Sequence, residues 1–267
     1  MSILSIQSHV SYGYVGNKAA TYPLQAMGYD VWPVNTVQFS NHTGYSEWKG
    51  EISSREQLRN VIRGIEALGV ADQCQAILSG YMGSEDICSE VQDTAHRFKA
   101  RNKDLIYLCD PVIDCANGFI KPEILAFFKT NLSADIITPN QIEAEILSGI
   151  KINVLADLEL VAKKIHDLGI KILVITGITF NEDTDHLYIF VSNGVKSYVS
   201  KVKNYIFSFP LSGTGDLFSA LYLGNYLASK DCLSALQKTI VCMDKVVRNT
   251  FISGQRELKI LSIDYNA

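Results

Sequence analysis

Length, composition and charge already restrict what this chain can be. Its 267 residues include 24 Lys and Arg against 28 Asp and Glu, giving a net charge of −4 at pH 7, and 47% of them are apolar. Such a chain can bury a full core without disulfides or a metal, and it lacks the basic surface of a nucleic-acid-binding protein. No apolar run approaches the ~18 residues of a membrane span, and residues 1–5 lack the charged start of a signal peptide. We therefore expect a cytoplasmic globular protein, one domain over residues 1–267, with neither nucleic acid nor membrane as a partner.

Short β-branched runs alternate with segments of helical period, a pattern typical of βαβ units and a parallel sheet. The predicted strands, in chain order, are 3–7, 30–35, 76–79, 105–109, 135–138 and 171–176. A helix through 19–24 should follow the first strand, although Pro23 weakens that prediction. Another follows the third strand and places Ile87, Val91, Ala95 and Phe98 on one face.

The end of the chain predicts a hairpin and two helices. Asn193-Gly194 separates the strand-like runs 186–192 and 195–202, and Asn-Gly is the strongest short hairpin signal. The last helix should bury Leu233, Leu236, Ile240, Met243 and Val247. The predicted fold class is α/β, with a mostly parallel central sheet, helices on both faces and an antiparallel edge hairpin.

Six cysteines occur without a C-x-x-C pair, and no Cys/His cluster has zinc spacing. Several lie in apolar surroundings, as Cys109 does after the run 105–108. Free cysteine is among the most buried residue types. We expect reduced structural thiols here, without thiol, zinc or heme chemistry.

Polar residues follow five predicted strands. The strands should end at Ser8, at 79–81 (Ser-Gly-Tyr), at 110–111 (Asp-Pro), at 138–140 (Thr-Pro-Asn) and at 176–177 (Thr-Gly). In open parallel sheets the ligand crevice lies outside the carboxyl ends of the strands, so one crevice would collect all five. Turn chemistry alone favours the same residue types and explains any single position equally well.

The run Ser212-Gly213-Thr214-Gly215-Asp216 leads directly into an apolar helical segment. Two glycines before a helix allow the backbone to approach a ligand, and the helix N-terminus favours an anion. This suits a transferring phosphoryl group, with Asp216 accepting the proton of the attacking hydroxyl. Asp216 as a simple helix cap is the alternative. No P-loop occurs, and Phe218 stands where a Rossmann motif needs its third glycine.

A second polar group lies at 140–143, Asn-Gln-Ile-Glu, after a predicted strand end. An acid and an amide three residues apart on one helical face can hold hydrated Mg²⁺ beside a triphosphate. Asp110, one strand away, could reach the same metal. A solvated first helical turn is the alternative.

These residues together resemble the pyridoxal kinases of the ribokinase-like superfamily. The similarity covers most of the chain and is densest near the N-terminus, in 5–10, 13–17 and 19–20, with 37–45 (Val-Gln-Phe-Ser-Asn-His-Thr-Gly-Tyr) as its most distinctive segment. Further matches are 79–81, 109–112, 138–140 with Glu143, and 213–216. After about Ala228 the match is loose. The resemblance implies a ribokinase-like three-layer sandwich and ATP-dependent phosphorylation of the 5′-hydroxymethyl group of pyridoxal, and of pyridoxine and pyridoxamine, in vitamin B6 salvage.

The resemblance also implies site roles by position. The catalytic turn would comprise Gly213, Thr214, Gly215 and the base Asp216. The substrate would contact Ser8, Val15, Phe39, Thr43, Gly44, Tyr81 and Asp216. ATP would be bound by Asp110, Thr138, Asn140, Glu143, Thr176, Lys201, Val202, Lys203 and Asn204, with Mg²⁺ at Asp110 and Glu143. A monovalent cation such as K⁺ is a further candidate, and family members are commonly homodimers.

One departure from the family concerns 113–120, which is shorter than usual; in relatives this segment helps to cover ATP and substrate.

Three alternatives remain open. A hydroxymethylpyrimidine kinase would share the superfamily site, although 42–45 argues against it. A binding protein for B6 vitamers would keep the ring site but would not need Asp216 or the Asn140/Glu143 pair. A flavodoxin-like or Rossmann protein is disfavoured by Phe218.

Overall fold

The computed structural model describes residues 1–113, 122–261 and 263–265. Within them a single nine-stranded sheet has the order β3-β2-β1-β4-β5-β6-β7-β8-β9. The strands are β1 (Ser2–Val10), β2 (Asp30–Phe39), β3 (Gly50–Ile52), β4 (Cys74–Ser79), β5 (Ile106–Cys109), β6 (Ile136–Ile137), β7 (Ile172–Phe180), β8 (Asp183–Ser192) and β9 (Ser197–Lys203). The six strands from β2 to β7 in that order are parallel, whereas β3, β8 and β9 pair antiparallel. The predicted parallel sheet and edge hairpin are confirmed.

Helices cover both faces of the sheet. They are α1 (Asn17–Ala26), α2 (Arg55–Ala67), α3 (Glu85–Arg101), α4 (Pro122–Asn131), α5 (Gln141–Ser148), α6 (Asp157–His166), α7 (Thr214–Ser229) and α8 (Cys232–Ser253). Helices α2 to α6 share one core with the sheet, and α1, α7 and α8 share the other. This is the predicted three-layer sandwich. In the part of the chain that the structure describes, no helix is long and apolar enough to cross a membrane.

Several predicted boundaries were wrong. Strand β1 does not end at Ser8 but continues to Val10, with a register shift against β2 between Gln7 and His9. Thr176 and Gly177 likewise lie inside β7, where the pairing with β8 is irregular. Bulges of this kind let polar residues sit within a strand. Strand β3 and the helices α2, α4 and α6 were not predicted at all.

The last helix forms as predicted, but its buried stripe differs. Leu236 is buried as predicted, whereas Leu233, Ile240, Met243 and Val247 are only partly buried. The buried positions are Cys232, Ala235, Leu236, Thr239, Cys242, Val246 and Thr250. Threonine is accepted there because the Thr239 and Thr250 hydroxyls donate to the carbonyls four residues earlier, at 2.8 and 2.7 Å.

The cysteine prediction is confirmed for the five described residues. Cys74, Cys88, Cys109, Cys232 and Cys242 are free and buried. Burial raises the pKa of Cys88 and of Cys109 to about 12, so both stay protonated thiols at neutral pH. Cys115, and all of the short segment 113–120 except Ile113, lie outside the described residues.

A buried carboxylate joins α2 to α3. The fully buried Glu90 forms ion pairs with Arg59 at 2.7 Å, Arg97 at 3.3 Å and Arg55 at 3.4 Å. Burial opposes its charge, but hydrogen bonds and charges from Arg59 and the other two arginines hold the pKa of Glu90 below its usual value of 4.5. Asp93 pairs with the same Arg55 at the exposed rim.

We predict that Glu90→Gln lowers the free energy of unfolding by about 2 kcal/mol. This is less than the ~3–5 kcal/mol expected for a fully buried pair because the arginines reach water. A group with a lowered folded pKa stabilises above its unfolded pKa, and that stability is lost as the pH falls through the folded pKa. The difference between wild type and Glu90→Gln should therefore persist at neutral pH, begin to shrink near pH 4.5 and disappear as the pH falls further through the lowered pKa of Glu90.

Urea denaturation at several pH values measures this. The control Asp93→Asn, which removes an exposed pair, should cost less than ~1 kcal/mol. Equal losses for the two variants would contradict the assigned role of Glu90.

Candidate active site

The carboxyl ends of the central strands are joined to one another by backbone hydrogen bonds. Asp110, just after β5, donates its N–H to the Ser79 carbonyl at 2.8 Å, and Thr138 donates to the Cys109 carbonyl at 3.2 Å. Thr176 forms a parallel bridge with Asn140. The polar residues predicted at these strand ends are therefore neighbours along one edge of the sheet.

Helix α7 begins at this edge with a glycine turn. Gly213 precedes the helix in the left-handed region, at φ 85°, and provides no side-chain cap. The interpretation of Asp216 as a helix cap was wrong, because Gly213 is the residue before the first helical turn and no side chain caps the helix; the Asp216 carboxylate lies near the backbone of Gly16 instead. Burial raises the pKa of Asp216, and the Gly16 hydrogen bond opposes that rise. Phe218, which replaces the Rossmann glycine, is buried in the core.

Two glycines bring distant segments into direct contact at this turn. A Cβ atom on Gly213 would lie 1.9 Å from the carbonyl oxygen of Tyr14, and one on Gly16 would lie 2.4 Å from the Ser8 hydroxyl oxygen. Gly16 thus lies between Ser8 and the Asp216 carboxylate. The sequence predicted these residues but not that Gly16 links Ser8 to Asp216.

Three carboxylates share the centre of the site. Asp110 is buried, and burial, then the charge of Glu143, then that of Asp216 raise its pKa well above the usual value. Its Oδ2 accepts a hydrogen bond from Ser219 Oγ at 3.2 Å, and Ser219 Oγ lies 2.7 Å from Thr138 Oγ1. Ser219 was not predicted, although its position three residues after Asp216 places it on the same face of α7.

Asn140 and Glu143 form a capping box at the start of α5. Asn140 Oδ1 accepts the Glu143 N–H at 2.9 Å, and Glu143 Oε2 accepts the Asn140 N–H at 2.9 Å. Glu143 Oε1 also accepts the N–H of Ile113 at 3.1 Å. The alternative of a solvated first turn was wrong, because Glu143 is buried; the role of the pair at a metal stays a prediction.

The residues present fit a cation, although they do not enclose one. In the described ranges no group of three or more His, Cys, Asp or Glu side chains could hold a metal ion by itself. Burial, followed by the charges of Glu143 and Asp216, nevertheless raises the pKa of Asp110. A nearby positive charge reverses such a shift. Carboxylate oxygens are also the ligands Mg²⁺ prefers, with water and phosphate completing its shell.

An apolar cluster lies beside Ser8. Val10, Val37 and Phe39 are buried together, with Val15 and Tyr81 packed against them. Val15, Phe39 and Tyr81 are three of the predicted substrate contacts, so the structure brings them together. The ring of Trp48, which was not predicted, lies 4.6 Å from that of Phe39.

The distinctive segment 41–45 forms a loop against the glycine turn. Thr43 and Gly44 are exposed. A Cβ atom on Gly44 would lie 3.4 Å from Ser212 Oγ. Below them, the buried His42 ring contacts Glu257, a residue of the C-terminal segment that the sequence analysis missed because 215 positions separate the two.

The predicted ATP contacts of the edge hairpin lie on β9 and just after it. Lys201 Nζ forms an ion pair with Asp183 Oδ2 at 2.7 Å, so its charge is already balanced. Val202 pairs with Leu187 of β8. Lys203 Nζ lies 5.1 Å from the Tyr205 ring, and Asn204 Nδ2 donates to the Thr184 carbonyl at 3.0 Å. The recorded contacts of these four residues tie them to the hairpin and its exit rather than to the carboxylates.

Curated proteins are similar to this chain over almost its whole length. The pyridoxal kinase PdxY of Corynebacterium diphtheriae is 39% identical over 98% of this chain and 93% of its own length, and that of Actinobacillus pleuropneumoniae is 38% identical over the same shares. The chain belongs to the pyridoxal kinase family. Its residues 49–260 also match the family model described as phosphomethylpyrimidine kinase.

Solved structures of the family agree with the fold. The pyridoxal kinase from Leishmania donovani in complex with ADP and ginkgotoxin superimposes with a TM-score of 0.91, at 32% identity, over 98% of this chain and 93% of that one. The same enzyme in complex with ADP and pyridoxine gives a TM-score of 0.90 at 32% identity, with the same coverage. The ribokinase-like architecture expected from the sequence is confirmed.

We predict that Gly213→Ala lowers kcat by about 100-fold. Alanine costs ~1–2 kcal/mol in the left-handed region, and its Cβ would displace the Tyr14 carbonyl by about 1 Å or more, a misplacement that can cost that factor in rate. Gly254→Ala is the control, since Gly254 has φ +62 with open space around it. Steady-state kinetics should show near-normal turnover for Gly254→Ala; comparable losses in both would mean that backbone strain alone matters.

Proposed function

We propose that this protein transfers the γ-phosphoryl group of ATP to the 5′-hydroxymethyl oxygen of pyridoxal, pyridoxine and pyridoxamine. The observation that carries the proposal is the Asp216 carboxylate in the first turn of α7, held by the Gly16 N–H beside Ser8. A base next to a helix N-terminus is the arrangement that phosphoryl transfer to an alcohol needs.

In the proposed reaction, Asp216 takes the proton of the 5′-hydroxyl as its oxygen attacks the γ-phosphorus. The bond from that phosphorus to the bridging oxygen breaks, and ADP leaves. The backbone N–H groups of 213–215 lie at the positive end of α7 and would stabilise the charge on the transferring oxygens. A carboxylate with a raised pKa is a stronger base than an ordinary one once it is ionised.

The ring would lie on the apolar cluster of Val15, Phe39 and Tyr81. Ser8, Thr43 and Gly44 would supply polar contacts to the substituents, which suits a flat heterocycle with hydroxyl groups. The triphosphate would extend along Thr138, Asn140 and Thr176, with Lys201 to Asn204 beside the nucleotide. Asp183 already neutralises Lys201. The negative charge of the triphosphate would therefore be stabilised less by Lys201 than by the N-terminus of α7 and a cation.

Asp110 and Glu143 would hold Mg²⁺, directly or through its water molecules. Bound there, the ion would supply positive charge to the phosphate oxygens and relieve the repulsion among the carboxylates. We also propose K⁺ as a monovalent activator. Replacing K⁺ with Na⁺ in the kinase assay tests this.

The proposal also covers the oligomeric state, domain organisation and location of the protein. Family resemblance supports a homodimer and one domain over residues 1–267. A cytoplasmic location fits the five free, buried cysteines, because thiols stay reduced there.

A hydroxymethylpyrimidine kinase is the second candidate, favoured by the match of 49–260 to the phosphomethylpyrimidine kinase family model. The deciding experiment incubates the protein with Mg-ATP and each of pyridoxal, pyridoxine, pyridoxamine and hydroxymethylpyrimidine, and measures phosphorylated product. We expect product from the B6 vitamers. Phosphorylation of the pyrimidine alone would overturn the substrate assignment, and binding of vitamers without product would indicate a binding protein.

We predict that Asp216→Asn lowers kcat by about 10²- to 10⁴-fold, because a positioned base contributes that factor. KM for ATP and pyridoxal should change little, since the amide keeps the size of the side chain. Rapid-quench measurement of the chemical step checks this. Unchanged turnover would rule out Asp216 as the base.

We predict that Asp110→Asn raises the Mg²⁺ concentration for half-maximal activity by about 10- to 100-fold, the range seen when support for a metal site is lost. Because Asp110 is repelled by Glu143 and Asp216, the same change should leave the melting temperature unchanged or raise it. The control is the exposed Asp104→Asn, at the start of β5. A normal Mg²⁺ requirement in Asp110→Asn would remove Asp110 from the metal site.

A further inference from the structure

The segment that follows α8 reaches back to the vitamer side of the site. Glu257 Oε1 accepts the Tyr45 hydroxyl at 2.6 Å and lies 3.2 Å from His42 Nε2. Its Oε2 accepts the backbone N–H of Tyr14 at 3.0 Å. One carboxylate therefore ties the loop at 41–45 to the loop at 11–14, although more than 200 residues separate it from both.

The other hydrogen bond of His42 determines that His42 is the donor in its contact with Glu257. Its Nδ1 accepts the N–H of Gly44 at 3.2 Å. In the neutral ring the proton is then on Nε2, which donates to Glu257. Tyr45, His42 and the backbone of Tyr14 all donate hydrogen bonds to the Glu257 side chain, which therefore acts only as an acceptor.

Two neighbours reinforce the contact. The Arg256 guanidinium carbon lies 3.9 Å from the centre of the Tyr45 ring, and the same guanidinium donates to the Gly44 carbonyl. The buried Leu258 packs under the glycine turn, with its Cδ1 3.3 Å from where a Cβ of Gly213 would be. Gly13, at φ +91, leaves the space that Glu257 occupies, since a Cβ there would lie 2.3 Å from Oε2.

We propose that Glu257 is a positioning residue for the vitamer: it holds the loop at 41–45, with Thr43 and Gly44 exposed at its tip, in the shape that receives the ring. This positioning role rests on the proposed function, and in it Glu257 does not touch the reacting atoms. Without the carboxylate, the loop must be ordered by the substrate, and that cost appears as weaker vitamer binding. Losing one hydrogen bond to a charged group corresponds to about a 10- to 100-fold effect.

The test variant is Glu257→Gln, which keeps the shape but turns an NH₂ group toward one of the three donors. KM for pyridoxal should rise about 10- to 100-fold, with kcat within a few-fold and KM for ATP within about twofold. The matched control is Glu47→Gln, which removes the same charge from an exposed position beside the loop. A rise in KM for Glu47→Gln of the same size would mean that local charge, not the hydrogen bonds, matters.

A double-mutant cycle with Tyr45→Phe separates positioning from stability. Because Tyr45 and Glu257 share one hydrogen bond, the two changes should be non-additive on KM for pyridoxal. Additive effects would overturn the proposal, and so would equal losses in kcat and in KM for both substrates together with a lowered melting temperature. The second set of results would make Glu257 a structural residue only.

Hydrogen exchange without substrate tests the inference independently of the reaction. Amides of 42–45 should exchange faster in Glu257→Gln than in wild type, while those of α7 and α8 stay unchanged. If wild type phosphorylates no vitamer, the proposed function fails, yet this measurement still decides whether Glu257 orders the loop. Unchanged exchange at 42–45 would overturn the inference.

Discussion

The carboxylates of Asp110, Glu143 and Asp216 meet at the carboxyl edge of the sheet, and the repulsion among them is the constraint around which the site is arranged. Each is satisfied differently: Glu143 by two backbone N–H groups, Asp110 by the Ser219 hydroxyl, and Asp216 by the Gly16 N–H. Neither Asp110 nor Asp216 takes part in an ion pair within the described residues. Concentrated negative charge of this kind would favour a cation that arrives with the substrate, as Mg-ATP does.

Ion pairing elsewhere in the molecule is organised in the opposite way. Glu90 is surrounded by three arginines between α2 and α3, and Asp135 by Lys99 and Lys171 at the other end of the strands. In both, neighbouring cations lower the pKa of the carboxylate despite its burial. The paired carboxylates Glu90 and Asp135 thus stabilise the scaffold, whereas Asp110 and Asp216, whose pKa values are raised, lie at the carboxyl edge of the sheet.

Helix α7 connects the two halves of the site. Its first turn lies against Tyr14 and Gly16 on the vitamer side, and Ser219, one turn later, reaches Asp110 and Thr138 on the nucleotide side. Asp216, the proposed base, is therefore held between the two proposed substrate regions by a helix with buried packing. The C-terminal segment adds a second connection, from Glu257 to the loops that face the ring.

Local sequence determined much of this protein. Short β-branched runs alternating with segments of helical period predicted the parallel sheet, Asn193-Gly194 predicted the hairpin, and the glycines before Asp216 predicted the turn that begins α7, because each of these signals is carried by residues adjacent in the chain. Tertiary structure alone decided that Ser219 joins the carboxylates, that Lys201 is paired with Asp183 and that Glu257 holds the loop of His42. Those contacts join residues far apart in sequence, and only the folded backbone sets which side chains meet and which charges remain unbalanced. The acidic net charge of −4 argued against a surface that binds nucleic acid, whereas only the fold brought Asp110, Glu143 and Asp216 to one edge of the sheet.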